Sequence, residues 1–137
     1  MSATYIPTVL RQQVRARAGG RCEYCLLAEE HAYLPHEPDH IIAEKHGGET
    51  TALNLALACF DCNRFKGSDI ASIDPISSAL VPLFNPRTHA WREHFRIEGG
   101  RILPLTPIGR VTERVLRLNL AERVEIRAIL AQTERYP

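Results

Sequence analysis

Two short segments, "RCEYC" at residues 21–25 and "ACFDCN" at 58–63, each carry the pattern Cys-x-x-Cys, and they hold all four cysteines of the chain. Thiolates at that spacing can grip one metal ion from a tight turn, and two such turns complete a closed tetrahedral site of the structural zinc type. Cys22, Cys25, Cys59 and Cys62 meet that requirement. Residues 26–58 separate the pairs, a longer interval than in ordinary zinc ribbons, so the ion would clamp the two ends of an inserted module. The competing reading, a thiol redox protein or buried free thiols, requires cysteines that hold no zinc.

With 137 residues, 45% of them hydrophobic and 24% charged, the chain is long enough for one domain with a modest core and short for two. The expectation is a single domain over 1–137, with a core motif at 22–67 and a C-terminal helical and hairpin extension at 84–135. No apolar run approaches the length of a membrane span, and "MSATYIPTVLRQQ" lacks the basic start and apolar middle of a secretory signal. A cytoplasmic protein is expected, and in a reducing compartment paired Cys-x-x-Cys turns bind metal rather than form disulfides.

A formal charge of +1 and a pI near 7.8 do not announce a nucleic-acid partner. The distribution says slightly more. Between Arg87 and Arg117 there are seven arginines against three acids, while lysine is confined to Lys45 and Lys66. Arginine forks suit phosphate, and a solvated helix face accounts for the same run equally well.

Along the chain, Thr8 to Ala18 after Pro7 reads as a helix with Val9, Leu10 and Val14 on one face, stopped by Gly19-Gly20. "EPDHIIA" reads as a short strand, "EKHGGETTA" as a loop, "LNLALACF" as a buried strand and "DCNRFKG" as one or two helical turns. "SDIASIDPISSALVPLFNPR" reads as loop wrapping over the core rather than a flexible linker, because it keeps apolar residues throughout. Then come a short helix with Trp91 and Phe95 on its buried side, a hairpin turning at Gly99-Gly100, and two closing helices, opened by Thr106-Pro107 and by Asn119 with Glu122 three residues on. The fold class expected is α+β.

Between the cysteine pairs, "PDHII" sets a carboxylate beside an imidazole. Neighbours on a regular strand point to opposite faces, so Asp39 and His40 divide the labour: Asp39 suits a hard cation and His40 a general base on water.

Taken in order, C-x-x-C, DHII, N-L and C-x-x-CN-x-x-K-G over Cys22 to Gly67 resemble the HNH endonucleases, whose catalytic element is the ββα-metal finger. "LFNPRTHAWREHF" and "GRVTERVLRLN" also resemble the C-terminal portion of small stand-alone members. The third motif position is Asn63 rather than histidine, a change the family accepts because an amide oxygen still ligates Mg²⁺.

The resemblance implies a metal-dependent hydrolysis of DNA phosphodiesters, RNA staying open as a substrate. His40 would be the base, Mg²⁺ or Mn²⁺ would sit on Asp39 and Asn63, and the ends would be 5′-phosphate and 3′-hydroxyl. Asn54 would hold the loop and orient the backbone or ring of His40, and Lys66 would approach a phosphate. Zinc on the four cysteines is structural in this reading. The alternative from a different class is a zinc-stabilised module that binds nucleic acid or protein without turnover, and its mark would be a broken set of catalytic residues. Asp39, His40, Asn54 and Asn63 are all present.

Overall fold

A computed structural model describes residues 5–137. The first residues of the expected 1–137 domain, and of the stretch read for a secretory signal, lie outside the described residues. The described residues fall into two compact units, one running to Ile70 and the other from Ala71 to Pro137. The class is α+β, with three two-stranded antiparallel sheets among the described residues.

The first unit opens with α1 (Thr8–Ala18). Pro7 precedes its first turn and Gly19, at φ 63°, ends it, with the amides of Gly19 and Gly20 returning to Ala16 O and Arg15 O. Val14 is fully buried, and Leu10 and Ala18 pack with it against Ile6, Leu55 and Leu57. The buried stripe therefore runs 10, 14, 18 at helical spacing. Val9, expected on that face, is 66% exposed.

Strand β1 (Glu37–His40) pairs with β2 (Leu55–Ala58), placing Asp39 opposite Ala56 and His40 opposite Leu55. Both strands are shorter than the segments read as strands: beyond His40 one further bond, Ile41 N–H to Asn54 O, precedes the loop. All four residues of β2 are buried. Its far edge is occupied: Glu23 N–H donates to Leu57 O and Leu57 N–H to Glu23 Oε2, both at 2.8 Å, while Arg17 Nη2 donates to Leu55 O at 2.6 Å. With the Leu57 backbone turned outward, Pro38 opposite it falls at a non-hydrogen-bonded site, where its missing N–H forfeits no ladder bond. Helix α2 (Phe60–Lys66) follows at once, and the Cys59 sulfur caps it by accepting from Cys62 N–H.

In the second unit, the segment read as loop contains a hairpin, β3 (Ala71–Ile73) with β4 (Leu80–Pro82). Asp74 organises its turn, accepting from Ser77 N–H, Ser77 Oγ and Ile76 N–H. Helix α3 (Trp91–His94) leads into the hairpin of β5 (Phe95–Glu98) and β6 (Arg101–Pro104), which turns at Gly99-Gly100. Phe95 is buried and stacks near Trp91. Helix α4 (Pro107–Val115) is capped by Thr106, whose hydroxyl accepts from Gly109 N–H at 3.1 Å. Asn119 does not cap α5 (Ala121–Gln132); Leu120 stands at the cap position, and the Asn119 amide grips the N–H and C=O of Ile102 on β6.

Much of the arginine charge is spent inside this unit. Arg110 holds Asp74 through two bonds and Arg96 holds Glu98. Arg123 and Arg127 are buried, donating to the carbonyls of Leu116, Arg117, Gly100 and Leu118.

Candidate active site

The four cysteines come from two tight turns, one after α1 and one at the head of α2, and their sulfurs all lie within 4.8 Å of one another. All four are buried and none is in a disulfide. The Cys25 and Cys59 sulfurs are 3.7 Å apart, close to the sulfur–sulfur separation of about 3.8 Å that tetrahedral Zn–S bonds of about 2.3 Å require. Each turn also aims an amide at its own first sulfur, Cys25 N–H at Cys22 and Cys62 N–H at Cys59, which steadies negative charge there. Burial pushes the Cys22 and Cys62 thiols well up from their ordinary value, so thiolate in this pocket calls for a cation. The donor set and its spacing fit zinc.

On the same unit, a cleft of about 340 Å³ is lined by Asp39, His40 and Asn63, with Arg11, Glu37, Glu44 and Lys45 also contributing. Strand β1 delivers Asp39 and His40 from its last two positions; α2 delivers Asn63 from its second turn. The two strand neighbours have different surroundings. Asp39 is held from the interior: Tyr24 Oη donates to its Oδ2 at 3.0 Å, and Lys66 Nζ lies 3.1 Å from the same oxygen. Burial pushes the Asp39 carboxyl up, against the opposing pull of Lys66 and the Tyr24 hydrogen bond. Its Oδ1 and the Asn63 side-chain amide have no hydrogen-bond partner among the described residues, which leaves two oxygens of hard-cation character in one cleft.

The His40 ring turns instead to the loop after β1. Its Nε2 is 2.9 Å from Thr50 Oγ1 and 3.9 Å from Glu44 Oε1. The loop is closed by Asn54, whose Oδ1 accepts from Ile42 N–H at 3.0 Å while Nδ2 donates to Ile42 O and Glu49 O, each at 2.9 Å. Gly48 passes so close beneath that a Cβ there would stand 1.7 Å from Ile42 O. Only glycine fits that crossing.

Asn54, expected to hold the loop and to orient the backbone or ring of His40, bonds the loop backbone at Ile42 and Glu49, while Thr50 bonds the ring. One sequence reading changes in this light. Lys66, expected to approach a phosphate, is 1% exposed and is committed to Asp39 and to His40 O. The cations that do line the cleft are Arg11, ion-paired with Glu37 at 2.8 Å, and Lys45. Tyr24 and Thr50 were not picked out by sequence reasoning. A tyrosine inside a cysteine turn is a weak cue, and a threonine ten residues from its histidine is none.

Among the described residues no helix is long and apolar enough to cross a membrane. No curated protein and no solved structure matches the chain. Residues 22–69, which hold both cysteine turns, Asp39, His40, the Asn54 loop and α2, match the family model of the HNH endonuclease domain, and the cysteine cluster within them fits a zinc-containing member.

Proposed function

We propose that the chain is an endonuclease that hydrolyses DNA phosphodiester bonds with a divalent cation, leaving 5′-phosphate and 3′-hydroxyl ends. The HNH family suggests nuclease activity. The observation that carries the finer reading is the meeting of Asp39, His40 and Asn63 in one cleft, with the His40 ring held through Nε2.

A Thr50 hydroxyl that accepts from Nε2–H leaves the lone pair on Nδ1, the tautomer a general base needs. His40 then removes the proton from the attacking water, and the Glu44 carboxylate near Nε2 stabilises the imidazolium that results. Asp39 and Asn63 would hold Mg²⁺ or Mn²⁺, which when bound supplies positive charge at the scissile phosphate. Lys45 and Arg11 offer further positive charge at the cleft wall, Arg11 exchanging Glu37 for phosphate. Zinc on Cys22, Cys25, Cys59 and Cys62 would be structural. Cysteines gathered around a cation site and not in disulfides suit a reducing compartment such as the cytoplasm.

The test is cleavage of supercoiled plasmid by the wild type and His40→Ala in EDTA, Mg²⁺ and Mn²⁺. Cation-dependent nicking or linearisation, reduced roughly a hundredfold in a variant that stays folded, is the expected result. Cleavage of RNA in preference to DNA would change the substrate. Binding to DNA by gel shift without cleavage by either protein would favour a silent nucleic-acid-binding module.

A further inference from the structure

Tyr24 lies between the two cysteines of the first turn and is 1% exposed. Its backbone is fixed on both sides. Glu23 N–H is bonded to Leu57 O on β2, and Cys25 N–H and Leu26 N–H return to the sulfur and the carbonyl of Cys22. A ring anchored so firmly places its hydroxyl by construction, and that hydroxyl donates to Asp39 Oδ2 at 3.0 Å. Lys66 takes the same oxygen from the α2 side. A carboxylate can turn about its last bond and present either oxygen. Two donors converging on Oδ2 stop that rotation and leave Oδ1 to the cleft.

We infer that Tyr24 is a positioning residue through which the first cysteine turn sets the Asp39 carboxylate for the divalent cation. The inference rests on the reading of Asp39 as a cation ligand. It gives the cysteine cluster a role beyond tying residues 22–62 together: the turn that holds one metal orients a ligand of the other. A buried tyrosine whose hydroxyl merely found a partner in the core would contribute to stability alone.

The experiment is Mn²⁺ binding by electron paramagnetic resonance on the full chain, with zinc content measured on the same samples. Tyr24→Phe keeps the ring and removes the donor. It is expected to retain zinc and to bind Mn²⁺ about 10- to 100-fold more weakly, the range for losing an outer partner of a metal ligand. Retained zinc with unchanged Mn²⁺ affinity overturns the inference. Asp39→Asn serves as the reference: if it too binds Mn²⁺ as the wild type does, the cation-site reading itself fails and this inference falls with it. Should Tyr24→Phe lose zinc, the wild type decides. In protein labelled at tyrosine Cζ, the Tyr24 resonance, assigned by Tyr→Phe changes at Tyr5, Tyr33 and Tyr136, is expected to shift when Mg²⁺ is added, because the cation draws charge from its acceptor. A Tyr24 resonance that stays in place while Mn²⁺ binding depends on Asp39 overturns the inference.

Discussion

Lys66 Nζ lies 3.1 Å from Asp39 Oδ2 and donates to the carbonyl of His40 at 2.9 Å, so one buried ammonium ties both strand residues of the site to helix α2. Replacing it by methionine leaves a buried carboxylate without its counter-charge. Lys66→Met is expected to lower stability by about 3–5 kcal/mol, read from urea unfolding. A lysine that served only to hold phosphate would instead lose DNA affinity at unchanged stability.

Cys59 serves twice, as a sulfur of the cluster and as the cap of α2. Cys59→Ser is expected to abolish zinc binding and with it the folded first unit, since structural zinc in small peptides contributes about 10–16 kcal/mol of apparent binding energy. Elemental analysis and circular dichroism report both losses. A strong chelator acting on the wild type should reproduce them.

At Gly48 a methyl group has nowhere to go. Gly48→Ala is expected to push Ile42 away from the Asn54 amide and to cost about 1–3 kcal/mol. Because Thr50 belongs to the same loop, cleavage should fall more steeply than the melting temperature alone would suggest. Gly47, at φ 88° with open space around it, should accept asparagine with a smaller loss.

The Arg110 guanidinium, followed by the Ser77 hydroxyl, holds the Asp74 carboxyl far below its ordinary value of 3.8. A depressed carboxylate contributes stability that is complete above its unfolded value and is lost as pH falls through its folded one. Below pH 3.8 the wild type should therefore lose stability more steeply than Asp74→Asn. Equal slopes in thermal melts across that range would show that the ion pair does not differ between folded and unfolded chains.

The parts of the site legible in the sequence were those whose chemistry is local. Two cysteines a turn apart need no tertiary knowledge to be read as ligands, and the order of Asp39, His40 and Asn63 around them carried the family resemblance. The environment of Lys66 was not legible, because a lysine followed by glycine reads as solvated until the Asp39 carboxylate and the His40 carbonyl are seen to bind it. Thr50 escaped for the same reason. Its role depends on where the loop closed by Asn54 brings it. In the second unit, the apolar character of residues 68–87 was noticed, but the hairpin depends on Asp74 and Arg110, which lie far apart in sequence. Asn119 looked like a cap because asparagine before a helical pattern usually is one, whereas here its amide completes the edge of β6 instead.

The far side of β2 bears on how this small domain behaves in company. A two-stranded sheet has nothing but edges, and an apolar strand such as Leu-Ala-Leu-Ala with open amides is a template on which another chain can polymerise. Glu23 and Arg17 occupy those positions with charged groups, one from the first cysteine turn and one from the end of α1. The same turn that would hold the ion therefore also guards the strand. Loss of metal would unfasten Glu23 and uncover β2 together, so the metal-free protein is expected to be lost to aggregation rather than to wait, unfolded and recoverable, for its ion to return.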